Sequence, residues 1–128
     1  MRERGGSPAV VRVVGGAGPA RAEIEEGLSR ILRQRGARVG ALPPGGRARA
    51  GCDLWFAGEG GPPAAGRVAV LDEGSAAAEP AAGPEPLLAA VCDGPVALGA
   101  PVFRFDEAEE LADYLGQLLL GGRFVRPG

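Results

Sequence analysis

Residues 9–14 (AVVRVV) form a β-branched, almost wholly apolar run that stops at Gly15-Gly16, and a helical pattern follows within a few residues. An apolar run of that kind reads as a strand buried on both faces, the type found in parallel sheets. Pro19 suits a first helical turn, because its missing N–H costs nothing there. Ile24, Leu28, Ile31 and Leu32 recur at the spacing of one buried stripe. Glu23, Glu25 and Glu26 precede Arg30, Arg33 and Arg35, an order that complements the helix dipole. Gly36 fits the left-handed position just past a helix end. Residues 37–42 (ARVGAL) then resume an extended pattern. Strand, helix and strand together make a crossover unit of about 30 residues, which is right-handed in nearly all proteins.

The rest of the chain continues in the same class. Further strands are expected at 53–57 (DLWFA), 67–71 (RVAVL), 87–91 (LLAAV) and 101–105 (PVFRF). The last helix is expected to open at Asp106, acting as N-cap with Glu109 three residues on. Its apolar stripe is Leu111, Tyr114, Leu115, Leu118 and Leu119, and Gly121-Gly122 ends it. Trp55 and Phe56 fall on opposite faces of one strand, so packing against helices on each side is expected. These elements predict an α/β domain with a mainly parallel sheet and flanking helices. The domain spans 9–120, between a flexible N-terminus at 1–8 and a flexible tail at 121–128. Within it, 73–86 (EGSAAAEPAAGPEP) is low-complexity and reads as a mobile loop.

Composition excludes several kinds of chemistry. All 14 basic residues are Arg, and there is no Lys, His, Thr or Asn. Without His there is no His general base, Ser-His-Asp triad or His metal ligand. Without Lys there is no Schiff base and no phosphate-loop lysine. The net charge of −2 and the scattered Arg residues argue against a nucleic-acid-binding face. No apolar run approaches the roughly 18 residues of a membrane span. Residues 1–6 lack the apolar core of a signal peptide, so a cytoplasmic protein is expected. Cys52 and Cys92 form no CxxC pair and read as reduced, buried thiols.

The segment Gly15-Gly16-Ala17-Gly18-Pro19-Ala20-Arg21-Ala22 carries the functional information. It lies between a buried strand and a helix N-terminus, where backbone N–H groups can cradle phosphate. As a dinucleotide-binding G-x-G-x-x-G it fails, because Arg21 takes the third glycine's place and no acidic residue ends the second strand. As a phosphate loop, G-x-x-x-x-G-K-[ST], its register fits from Gly15. Ala20 then replaces the second Gly, Arg21 the Lys, and Ala22 the hydroxyl residue that binds Mg²⁺. Arg21 keeps the charge but is longer and planar. Ser7, Ser29 and Ser75 are not placed to supply the missing hydroxyl. Hydrolysis by the usual route is therefore expected to be lost, so the chain reads as a non-enzyme. Backbone N–H groups and Arg21 leave a route to weak phosphate binding. The competing reading is a plain glycine-rich turn.

Several segments in order resemble MobB, the molybdopterin-guanine dinucleotide biosynthesis adaptor, a P-loop family. They are 10–15, the helix ending Leu32-Arg33-Gln34-Arg35-Gly36, residues 37–40, Ala50 to Glu59-Gly60, 67–71, Val91-Cys92-Asp93-Gly94, and 101–106 with the last helix. The resemblance implies a P-loop NTPase-like three-layer architecture. It also implies a GTP-binding partner of the guanylyltransferase in molybdenum cofactor maturation. Glu59 would stand at the strand end where the family has a Glu-Gly pair, shifted by one residue. It could approach Mg²⁺ or read simply as a solvated loop carboxylate. Three departures stand out: the altered loop, Leu42-Pro43-Pro44-Gly45 in place of a Lys-His segment, and a short link before Asp53, where a helix and a strand are missing. They imply a truncated member with GTP binding weakened or lost. The shortened sheet leaves edges that a homo-oligomer or a partner protein would cover. Asp53 opens its strand, at the wrong edge for a Mg²⁺ ligand, and Asp93 reads as a turn former.

Overall fold

A computed structural model of the chain describes residues 8–15, 18–43, 45–49, 51–58, 63–71, 85–94 and 99–121. The expected flexible ends at 1–7 and 122–128, and the loop at 72–84, lie outside these residues. The described residues form six strands and two helices, with five of the strands in succession between the helices: β1 (Ala9–Val14), α1 (Gly18–Gln34), β2 (Val39–Ala41), β3 (Leu54–Ala57), β4 (Gly66–Val70), β5 (Leu87–Val91), β6 (Val102–Phe103) and α2 (Ala108–Leu120). The strands form one sheet in the order β2-β3-β1-β4-β5-β6. Every pair is parallel. β1 is therefore central, which is why its residues 10–14 are all buried.

Residue parity divides the sheet. Val11, Val13, Leu54, Phe56, Val68, Val70 and Val91 face both helices, and Leu28, Leu32, Leu111 and Leu115 fill the layer between. Each such side chain contributes about 1.5–3 kcal/mol by leaving water. Among the described residues both helices lie on this one face. The opposite face holds a smaller cluster of Val14, Ala69, Leu71 and Ala90. Trp55 also lies there, and no helix packs on it; its indole N–H donates to the Arg49 carbonyl at 3.1 Å instead.

Helix ends follow local chemistry. Gly36 has φ 92°. Ala37 N–H donates to the Leu32 carbonyl at 3.0 Å, and Gly36 N–H to that of Arg33 at 3.1 Å, which closes α1 in a Schellman motif. α1 starts at Gly18, so its first turn carries no acid, and Glu23, Glu25 and Glu26 sit beyond the reach of the dipole's N-terminal end. α2 opens after Glu107 rather than Asp106, with no side-chain cap. The Arg104 carbonyl accepts from Glu107 N–H, and the Glu107 carboxylate accepts from Arg104 N–H at 2.8 Å, so Asp106 is consumed in a turn. Leu118 departs from the expected stripe and is 51 % exposed. Arg35 ties the two helices, 3.2 Å from Asp113 and 3.5 Å from Glu109. Phe103 and Tyr114 join β6 to α2.

The connections explain how so short a chain completes a parallel sheet. β2 passes to its neighbour β3 without a helix among the described residues, as the shortened link predicts. β3 passes to β4 across β1 through residues 58–65. Ala57 lies level with Arg12 and Gly66 with Val11, so the two ends of that link stand within one residue of the same height along β1. Gly66 is required where β4 begins, because a Cβ there would collide with the Leu88 side chain. Gly66→Ala is expected to lower stability by about 1–3 kcal/mol, as overpacking does. An unchanged urea midpoint would contradict this account of the β4–β5 contact.

Candidate functional site

The predicted residues that the structure describes stand near the carboxyl end of β1 and the start of α1. β1 is followed by Gly15, whose φ of 78° lies in the left-handed region that disfavours a side chain. Gly16 and Ala17 lie outside the described residues, and Gly18 opens α1. Ala20 packs on the helix-face core. Arg21 is half-buried and Ala22 exposed, both near the start of α1. Glu59 falls outside the described residues, but its neighbour Gly58 follows β3 directly and is exposed. From β1 the chain moves toward β2 on one side, and from β4 toward β5 on the other. The crevice at such a switch point is where parallel α/β sheets bind ligands.

Electrostatics at the turn centre on Arg21 and Glu25, one helical turn apart. Burial pushes the Glu25 carboxyl above 4.5, and the Arg21 charge acts against that rise. The two line up with Ser29 and Arg33 along α1, and Arg33 donates to the Val39 carbonyl at 2.8 Å. The other candidates have structural uses. The Asp53 carboxylate accepts from Arg38 N–H at 2.9 Å, and that of Asp93 from Phe105 N–H at 3.0 Å. Cys52 and Cys92 are free and half-buried. Among the described residues no group of three or more His, Cys, Asp or Glu is placed to hold a metal ion. None of the helices there is long and apolar enough to cross a membrane.

Arg12 and Arg67 stand side by side on β1 and β4, buried on the face away from the helices. Arg12 Nη2 reaches the Glu85 carboxylate at 3.0 Å, and its Nη1 donates to the Gly58 carbonyl at 2.6 Å. Arg67 Nε donates to the Glu85 carbonyl at 3.1 Å. Arg12 thus ties the start of the β3–β4 crossover, just before Glu59, to the start of β5. Sequence reasoning missed this cluster, although an Arg inside each of two strands buried on both faces is a signal that a partner must exist.

The architecture is of the P-loop NTPase-like α/β class, with a glycine turn leading from the central strand into the first helix. The solved structure of molybdopterin-guanine biosynthesis protein B (MobB) is similar, with a TM-score of 0.65 at 20 % identity, over 87 % of this chain and 99 % of that one. A MobB protein homolog from Bacillus stearothermophilus is also similar, with a TM-score of 0.64 at 17 % identity, over 87 % and 97 % of the two chains. At these identities the likeness is one of fold, and it bears out the fold expected from the ordered sequence segments. No protein-family model matches the chain, and no curated protein matches it in sequence.

The Arg12 hydrogen bond holds the Glu85 carboxyl below its ordinary 4.5, against burial, with help from the Arg12 charge and the Ala64 and Glu85 amides. A carboxyl depressed on folding adds stability above its unfolded value, and that stability is lost as pH falls through the folded value. Glu85→Gln is therefore expected to melt below wild type at neutral pH, with the gap closing once pH drops below about 4. A gap unchanged at about pH 3 would contradict the pairing.

Proposed function

We propose that this chain is a MobB-like accessory protein of molybdenum cofactor maturation. It acts as a cytoplasmic adaptor that contacts a guanylyltransferase forming molybdopterin guanine dinucleotide. GTP binding is weakened or lost, and hydrolysis does not occur. The observation that carries this reading is the match to MobB folds over 87 % of this chain, with a left-handed Gly15 between β1 and α1. The side chains at that turn support the loss of catalysis. Arg21 is too long and planar to act as the compact charge between β- and γ-phosphates, and Ala22 offers Mg²⁺ no hydroxyl.

A second reading, a nucleotide-binding protein with an altered phosphate loop, is favoured by one feature. The first turn of α1 carries a cation, Arg21, at the positive end of the dipole, where an anion would be stabilised by both.

Isothermal titration of GTP, with and without Mg²⁺, against wild type and Arg21→Ala separates the two. The adaptor reading predicts at most feeble, magnesium-independent heat. Magnesium-independent binding at micromolar GTP that falls in Arg21→Ala would replace it with the second. The adaptor itself is tested by sedimentation of the chain with a purified molybdopterin guanylyltransferase, where a complex is expected and independent sedimentation of the two would contradict it.

A further inference from the structure

A cavity of about 360 Å³ lies at the carboxyl end of β2, bordered by Ala41, Pro43, Gly46, Arg47, Arg49 and Trp55. Its volume is within the range of small-molecule sites, roughly 300–1,000 Å³. Trp55 sits on the sheet face opposite the helices, beside Gly40 on the neighbouring strand. A Cβ on Gly40 would come within 2.6 Å of the Trp55 ring, so the missing side chain is what lets the indole lie across β2. The indole N–H bond to the Arg49 carbonyl fixes the ring and ties the arginine-bearing segment to it. The opposite rim is a tight turn in which Gly46 N–H donates to the Pro43 carbonyl at 2.8 Å and Gly45 adopts φ 76°. Arg47 and Arg49 are exposed, and their guanidinium groups have no ion-pair partner among the described residues.

We propose that this cavity is a mononucleotide site, in which the base stacks on Trp55 and the phosphate is met by Arg47 and Arg49. An aromatic face accepts any base by stacking, and arginine forks match phosphate oxygens. The indole is held by its bond to the Arg49 carbonyl before any ligand arrives. The site stands apart from the β1–α1 turn, at the β2–β3 edge and on the other face of the sheet, and it does not rest on the adaptor reading.

Trp55 is the chain's single tryptophan, so its fluorescence reports the site directly. Titration with GMP is expected to quench it saturably in the millimolar range or below. Arg47→Ala/Arg49→Ala should weaken GMP by about tenfold or more while leaving guanosine unaffected, because only the charge-assisted contacts are removed. Arg21→Ala should leave both titrations unchanged. The assignment is overturned if quenching does not saturate, if the double variant binds GMP like wild type, if Arg21→Ala removes the signal, or if a single-stranded oligonucleotide binds far more tightly than GMP.

Discussion

Arg12 is buried on the central strand of an all-parallel sheet, and the second face of that sheet is organised around it. A guanidinium in that position must be paired and hydrogen-bonded. Its partners are the Glu85 carboxylate and the Gly58 carbonyl, which belong to two different connections. Arg67 adds a bond to the Glu85 carbonyl. Sheets of this kind usually carry helices on both faces. Among the described residues a polar cluster and close-lying loops take that place here, while α1 and α2 cover the other face with aliphatic side chains. The arrangement needs few residues, and the two ends of the β3–β4 link stand within one residue of the same height along β1.

The same constraint shapes the functional edge. Gly15, just past β1, is left-handed, and α1 starts three residues later with its N–H groups directed at that edge. Arg12 fixes where β3 hands over to the segment that carries Glu59. A phosphate loop, in the proposed reading, would stand at this turn, with Ala20, Arg21 and Ala22 in the places of its chemical residues.

Much of this was legible in the sequence, for identifiable reasons. The β-branched run at 9–14 and the glycine after it could only be a buried strand and its exit. The stripe Ile24, Leu28, Ile31, Leu32 and the glycine at 36 located α1 and its end. Residues 87–91 form a strand paired on both sides, by β4 and β6. Other features depended on tertiary context. Asp106 had the right chemistry for an N-cap, but Glu107 and Arg104 close a turn that displaces the helix start. Glu85 looked like part of a featureless Pro/Ala/Gly segment, and only strand order brings it to Arg12. Trp55 was expected under a helix. Period-two alternation assigned it a face but not what covers that face, and Gly40 with the Arg49 carbonyl supplied the answer. Gly16, Ala17 and Glu59 lie outside the described residues.

In the proposed function the β1–α1 turn stands in the register of a phosphate loop without its chemical residues. Restoring them in one variant, Ala20→Gly, Arg21→Lys and Ala22→Thr, tests it most directly, with GTP affinity measured by calorimetry in the presence and absence of Mg²⁺. The account predicts that magnesium-dependent GTP binding appears in the variant where wild type has none. A variant that melts like wild type yet gives no GTP heat would show that the turn does not have phosphate-loop geometry.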